Sequence, residues 1–302
     1  MMRIFYNGYN FSNEAEALIY NPTLALYFLK HFQKRCQYPR RILDTNLAMD
    51  KGKITYISLM PNGGQLVIDA LDNNHQVVIS ELYDRFGLTE VLQMTKNTQF
   101  MASLLYYFGV LTLGGYTEKG ELILRIPNLV VQKLYVERIR EVLLPQSTAR
   151  DEAVRVAKLF CQTGNMQPLC QFIEQSCFKV FDNRDYRWTS EFTIKTAFLI
   201  LLFDDTFYVM DSEASLGRGC ADLTMLVRPD MRRYQLLDFL IEFKYVSLKK
   251  VELSGEQVRQ LSVSELSALE PVKEKLAESK TQLGNYRQVL FSRYGEKLRL
   301  RT

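Results

Sequence analysis

Polar and hydrophobic side chains alternate with period two along much of the stretch 205–246. Because successive side chains of a strand point to opposite faces, this pattern predicts β-strands, which turn residues separate into 205–214, 220–228 and 236–246. A helical pattern precedes them at 190–203, a longer one runs over 272–294, and a short stub follows at 297–302. The predicted order is therefore helix, three strands, helix and strand.

The third predicted strand carries Glu242 and Lys244, which are two residues apart and share a face with Asp238 and Leu240. Its opposite face is hydrophobic and consists of Leu237, Phe239, Ile241, Phe243 and Tyr245. A carboxylate and an ammonium on a central, buried strand cost free energy unless the protein uses them. This strand is therefore the first place to look for chemistry.

The N-terminal half is mostly helical in pattern, and its clearest unit spans 100–144. A helix is followed by a hairpin around Glu118, Lys119 and Gly120, and Asn128 is a good N-cap for a second helix. Helix, hairpin and helix form the outline of a winged-helix-like unit. Two interpretations stay open: DNA docking through Arg138 or Arg140, or a packing module with these arginines on a solvated surface. We favour the second, because a fold alone does not fix a function.

A polar segment that contains Pro and Ser, at 145–150, predicts a domain boundary. We therefore expect a mostly helical domain with a winged-helix-like hairpin at 1–145. A second domain at 146–302 would contain a helical connector and the helix–strand core. The fold class is α/β in the broad sense, more strictly α+β.

Composition restricts the kinds of chemistry that are open to the chain. With 47% hydrophobic and 24% charged residues it is typical of soluble globular proteins, and the longest apolar run, 197–203, is too short to span a bilayer. The five cysteines form no CxxC pair and the two histidines are far apart, which argues against a zinc site or a histidine-based triad. We expect reduced thiols, a cytoplasmic location and no membrane partner. The net charge of +4 permits a polyanionic partner without requiring one.

Four runs in the N-terminal half carry a family resemblance: YNGYNF at 6–11, YNP at 20–22, SLLYYFGVLTL at 103–113 and LRIPN at 124–128. They resemble the later part of the AAA-ATPase-like domain found in bacterial and archaeal proteins. In that family an ATPase core precedes these motifs, but the chain contains no GxxxxGK(S/T) phosphate-binding loop. We therefore expect no nucleotide cofactor and no ATP hydrolysis.

The second half resembles the PD-(D/E)XK nuclease superfamily, whose restriction-endonuclease-like core has the order αβββαβ. The residues that carry this match are Glu191, Glu213, the run GRGCAD at 217–222, Glu242, Phe243, Lys244, Gln282 and Tyr286. A D…ExK pattern alone is weakly specific, whereas the whole set in this order is much more so. One departure is Ala221, which stands where the motif is usually written with proline.

The resemblance implies a role for each of these residues. Asp222 and Glu242 would bind Mg²⁺ or Mn²⁺ together with the backbone carbonyl of Phe243, and Glu213 would add a ligand directly or through water. Lys244 would orient the attacking water or stabilise the charge that develops on the phosphate. In addition, Glu191 would support the site from the preceding helix. Gln282, as a catalytic residue, and Tyr286 would reach the site from one face of the long helix.

Each of these residues also has a structural interpretation. Glu191 and Lys195 are four apart and could form a surface ion pair, Glu242 and Lys244 could form an inward ion pair, and Gln282 with Tyr286 could simply pack. Basic residues that would follow a phosphate backbone, or would only solvate a surface, are Arg218, Arg228, Arg232, Arg233, Lys249, Lys250 and Arg287. We favour the solvated surface for these.

Two functions are compatible with the sequence. The first is a metal-dependent nuclease that acts on DNA or RNA, with DNA favoured. The second is an inactive nuclease fold that serves as a nucleic-acid-binding or assembly module, and a homo-oligomer is open in either case. A nuclease should place Asp222 and Glu242 close enough to share one ion beside an open basic groove. An ion-pair scaffold would bury Glu242 against Lys244 without a cleft.

Overall fold

The computed structural model describes residues 1–12, 14–43, 49–72, 76–84, 86, 97–177, 191–217 and 219–302. Two of the residues singled out above are affected. Arg218 lies outside the described residues, and so does the side chain of Glu191, whose backbone begins a helix. None of the described helices is both long and apolar enough to cross a lipid bilayer.

The N-terminal half combines helices with two small antiparallel sheets. Its helices are α1 (Met2–Tyr6), α2 (Pro22–Arg35), α3 (Met49–Ser58), α4 (Gly63–Asp72), α5 (Thr98–Tyr107) and α6 (Leu129–Leu143). Its strands are β1 (Asn7–Tyr9), β2 (Ile19–Tyr20), β3 (Gln76–Ile79), β4 (Thr112–Tyr116) and β5 (Leu122–Arg125). β1 pairs with β2, and the second sheet has the order β3-β5-β4.

The predicted succession of helix, hairpin and helix is confirmed by α5, β4–β5 and α6. Asn128 caps α6 by accepting the N–H of Val131 at 3.1 Å, as expected for its position. Arg138 and Arg140 on this helix are not solvated: Arg138 donates to Ser58 Oγ at 2.6 Å, and Arg140 Nε donates to the Ile200 carbonyl at 3.1 Å. These contacts favour the packing role, whereas the winged-helix interpretation stays a prediction.

The C-terminal half contains the predicted core. After α7 (Ser147–Thr163) and α8 (Gln167–Phe172), its elements are α9 (Glu191–Leu202), β6 (Tyr208–Leu216), β7 (Gly219–Val227), β8 (Asp238–Ile241), α10 (Leu248–Val251), α11 (Gly255–Gln260), α12 (Val263–Ala268), α13 (Glu270–Tyr294) and β9 (Leu300–Arg301). The sheet order is β6-β7-β8-β9, antiparallel except for the parallel β8–β9 pair. The mixed α+β fold with an αβββαβ core is therefore confirmed.

Strand β8 is shorter than the predicted 236–246. It ends at Ile241, so Glu242, Phe243 and Lys244 directly follow it. The reason lies in the neighbouring strand: the N–H of Phe243 is donated to Asp222 Oδ2 at 2.8 Å instead of to a backbone carbonyl. A side chain thus takes over the next hydrogen bond, and the strand ladder stops there.

The largest hydrophobic cluster includes residues from both sides of the predicted boundary at residue 145. On the C-terminal side, Phe239 stacks on Phe160 at 4.2 Å between ring centroids, and Phe243 lies 5.0 Å from Phe198. Leu240 packs instead in a second cluster with residues of α13. The predicted alternation of faces along β8 is therefore confirmed.

Two of the arginines considered for phosphate contacts are instead structural. Arg228 is fully buried and pairs with Asp230 at 2.9 Å. Arg232 forms a bidentate pair with Asp238, which is also fully buried. Solvent does not reach Arg228, so a phosphate contact is wrong for this residue, and so is the solvated surface that we favoured for it. The pair with Asp238 favours a structural role for Arg232, which is 23% exposed.

Candidate functional site

Three carboxylates lie in one row across the sheet. The β6–β7 register pairs the residues on either side of Glu213 with those on either side of Asp222. The last β7–β8 pair is Leu223 with Ile241, so the next position along both chains brings Asp222 opposite Glu242. Residues that face each other on neighbouring antiparallel strands have their side chains on the same face, within contact distance. The sheet thus brings together the three carboxylates among the metal ligands that the resemblance implies, Glu213, Asp222 and Glu242.

Asp222 is at the centre of this row and is partly open to solvent, with 16% of its side chain exposed. One oxygen, Oδ2, accepts the Phe243 N–H, and the other, Oδ1, lies 3.6 Å from the ammonium of Lys195. The hydrogen bond fixes the orientation of the carboxylate and holds the Glu242–Lys244 segment beside it. Asp222 therefore both shapes the site and supplies charge to it.

Lys195 is the residue that sequence reasoning missed. It projects from α9, forms an ion pair with Glu213 and has a side chain that is only 8% exposed. The ammonium of Lys195 is thus buried over the carboxylate row, whereas its pair with Glu191 stays a prediction, because the side chain of Glu191 lies outside the described residues. The available signal was a lone lysine before the apolar run 197–203, where a charge must have a partner.

Glu213 has an unusual backbone conformation for its residue type. Its φ of 66° lies in the left-handed region, although it sits within β6. A residue with a Cβ rarely adopts this conformation, and such strain concentrates at functional sites. Its side chain remains 30% exposed while it pairs with Lys195.

Glu242 and Lys244 form an ion pair of 3.0 Å, and the Glu242 side chain is only 5% exposed. The second oxygen of Glu242, Oε2, is buried and has no hydrogen-bond partner among the described residues. Burial raises the pKa of Glu242, and the charge of Asp222 adds to this effect, while the hydrogen bond from Lys244 opposes it. Glu242 Oε2 is therefore a buried acceptor that no described side chain uses.

Lys244 contacts a second acid that the sequence did not indicate. Burial acts to lower the pKa of Lys244, but the hydrogen bond and the charge of Glu242 outweigh it, so the pKa is raised. Its Nζ also lies 3.6 Å from Glu278 on α13. The spacing could have revealed Glu278, because it precedes Gln282 by the same four residues that separate Gln282 from Tyr286.

Gln282 and Tyr286 face the sheet from α13, and they differ in their hydrogen bonds. Gln282 Oε1 is buried without a hydrogen-bond partner among the described residues. Tyr286 donates its hydroxyl proton to the Cys220 carbonyl at 3.1 Å. A Cβ added at Gly219 would lie 2.5 Å from this hydroxyl, so only glycine permits the approach. Tyr286 therefore packs α13 onto β7, whereas Gln282 still has bonding capacity to offer.

We expect Tyr286→Phe to lower the free energy of unfolding by about 1 kcal/mol, because the Cys220 carbonyl loses the hydrogen bond from the Tyr286 hydroxyl. The measurement is urea unfolding followed by circular dichroism. Tyr294→Phe is the matched control, since Tyr294 lies on the same helix and is 50% exposed. Equal stabilities of the two variants would contradict the packing role.

A scan against protein-family models identifies the region that contains this site. Residues 189–292 match the PD-(D/E)XK nuclease superfamily. The matched span includes every candidate residue named above, from Glu191 to Tyr286. No curated protein and no solved structure matched the chain. The resemblance of the N-terminal half to an AAA-ATPase-like domain therefore stays a prediction.

PD-(D/E)XK nucleases generally use divalent metal ions, and the oxygen atoms around Asp222 and Glu242 resemble the ligands of such an ion. Asp222, Glu242 and the Phe243 carbonyl supply the oxygen donors that Mg²⁺ prefers, and the orphaned Glu242 Oε2 is a donor without a partner. Within the described part of the chain, no three Asp, Glu, His or Cys side chains converge as a ready-made cage. Two carboxylates and a carbonyl are nevertheless a usual magnesium set, since waters and phosphate complete it. The residues fit the ion, with Glu213 engaged by Lys195.

Proposed function

We propose that the C-terminal half is a metal-dependent phosphodiesterase of the nuclease type, with its site at Asp222, Glu242 and Lys244. The observation that carries the proposal is the buried Glu242 carboxylate, which keeps one oxygen without a partner beside Asp222. A buried carboxylate oxygen without a hydrogen bond is costly in a purely structural ion pair. It is useful where a cation and a phosphate complete the site.

The residues divide the work by their chemistry. Asp222, Glu242 and the Phe243 carbonyl would hold Mg²⁺ or Mn²⁺, which polarises a phosphate and lowers the pKa of bound water. Lys244 keeps its ammonium next to Glu242, where it can donate to a phosphate oxygen as negative charge develops there. Gln282, with its free oxygen, would accept a hydrogen bond from the attacking water and orient it.

A second candidate function is a binding module that keeps the fold without catalysis. The closed Glu242–Lys244 pair and the bridge from Lys195 to Glu213 and Asp222 are the observations in its favour. In this case Lys244 and Lys195 neutralise the carboxylates permanently, and no metal ion replaces them. Such a protein would bind no divalent ion at the row of carboxylates.

A cleavage assay separates the two. The wild-type chain is incubated with single- and double-stranded DNA and RNA in Mg²⁺, in Mn²⁺ and in excess chelator, while calorimetry measures Mn²⁺ binding. Cleavage in the presence of metal that stops with chelator supports the nuclease. Absence of cleavage of all four substrates together with absence of Mn²⁺ binding would refute it.

Lys195 provides a further prediction, because it lies where it competes with a metal ion for Asp222. We expect Lys195→Met to bind Mn²⁺ about tenfold more tightly than the wild type, since a neighbouring positive charge is removed. Calorimetry measures the affinity. Lys133→Met is the control, because Lys133 forms a comparable ion pair with Asp205 at 2.8 Å away from the site. Unchanged or weaker binding in the Lys195 variant would contradict the competition.

A further inference from the structure

A concave surface lies on another part of the molecule. One wall is formed by α2 and the segment that follows it, and the other wall is the connection from β7 to β8. The surface encloses a volume of about 680 Å³. We call it the arginine groove and define it by Phe32, Arg35, Tyr38, Arg40, Arg41, Arg233 and Tyr234. β7 separates it from the candidate site: Arg228 follows Asp222 by six residues, which is about 20 Å along a strand.

The buried side chain of Arg228 connects the two walls of the groove. Arg228 is fully buried and donates to the Pro39 carbonyl at 3.2 Å and to the Asp205 carbonyl at 2.9 Å. The same guanidinium pairs with Asp230, the acidic residue that lines the groove. The groove is therefore a built feature of the fold, and the charge of its acid is already neutralised.

The groove has an excess of positive charge. Arg35, Arg40, Arg41 and Arg233 are all exposed, and within the described part of the chain none of them has a carboxylate at ion-pair distance. Guanidinium groups bind phosphates through paired hydrogen bonds. Where arginines have no acidic partners, their N–H donors remain available for a phosphate. This charge pattern indicates a polyanionic ligand.

Aromatic rings lie between these arginines. Phe32 and Tyr38 are stacked, with their centroids 5.9 Å apart, and Phe32 is 43% exposed. On the other wall Tyr234 is 42% exposed, and the guanidinium of Arg233 lies over its ring at 5.0 Å. Exposed rings beside arginines form the stacking surfaces that proteins offer to unpaired bases.

We propose that the arginine groove binds single-stranded nucleic acid, with its arginines on the phosphates and with Phe32 and Tyr234 under the bases. A duplex hides its base faces in its own stack, so it can use the arginines but not the rings. The site is separate from the carboxylate row and does not depend on catalysis there.

The test is fluorescence anisotropy with a labelled oligothymidine of about 20 nucleotides, long enough for a groove of this kind, and with a duplex of the same length. Excess chelator in all samples prevents cleavage. We expect the single strand to bind more tightly than the duplex. Tyr234→Ala should weaken single-strand binding about tenfold, because one base loses its stacking partner. The double variant Arg40→Gln/Arg41→Gln should lower the slope of affinity against salt by about 1.4, from two lost phosphate contacts.

Arg155→Gln is the matched control, because Arg155 is an exposed arginine that is held by Glu152 elsewhere on the surface. It should bind like the wild type, and circular dichroism checks that every variant is folded. Wild-type binding by the groove variants, or an unaffected Tyr234→Ala protein with equal affinity for duplex, would overturn the proposal. Single-strand binding by a wild-type protein that cleaves no substrate in Mg²⁺ or Mn²⁺ would refute only the nuclease function.

Discussion

Asp222→Asn is expected to lower metal-dependent cleavage by a factor of about 10² to 10⁴. Asparagine keeps an oxygen that can accept the Phe243 N–H, so the local fold is retained. It loses the negative charge that a divalent ion needs. Initial rates with Mn²⁺, at saturating substrate, measure the effect.

Asp211→Asn is the control for this prediction, because Asp211 lies on β6 outside the row of carboxylates. It should cleave at the wild-type rate. Lys244→Met gives a second comparison: it should reduce the rate without weakening Mn²⁺ binding, since Lys244 is a positive charge beside Glu242 and not a ligand. If Asp222→Asn cleaves within threefold of the wild type, the row is not the catalytic centre.

Asp238→Asn is expected to lower the free energy of unfolding by about 3 kcal/mol. Asp238 is fully buried, accepts the N–H of Val227 at 2.7 Å and that of Arg299 at 2.9 Å, and pairs with Arg232 through both oxygens. An amide would bring a donor against at least one of these donors and would leave Arg232 without its counter-charge. Denaturant unfolding followed by circular dichroism measures the loss.

Glu152→Gln is the matched control for this prediction. It also removes a carboxylate from a bidentate pair with an arginine, but Glu152 is exposed. Exposed ion pairs contribute well under 1 kcal/mol, so its stability should hardly change. A loss below about 1 kcal/mol for Asp238→Asn would show that the buried network is not needed for folding.

The order of helices and strands in the C-terminal core could be predicted from the sequence, because the alternation of polar and hydrophobic residues that marks a strand is a local signal. The facing of Glu242 and Lys244 followed from the same alternation. Lys195 and Glu278 could not be found this way, since each reaches its partner from another element and only the packing of α9 and α13 brings them there. The structural roles of Arg228 and Arg232 were missed for the same reason: the sequence does not show that Arg228 is fully buried beside Asp230 or that Arg232 pairs with the buried Asp238.

The contact between Arg140 and the Ile200 carbonyl links the two halves of the chain mechanically. Ile200 lies in the last turn of α9, five residues after Lys195, which is about 7.5 Å along a helix axis. The hydrogen bond from α6 therefore holds the last turn of the helix that carries the ammonium above the carboxylates. Cutting the chain near residue 146 would remove the donor of this hydrogen bond, so the N-terminal half is part of what positions the counter-ion of the site.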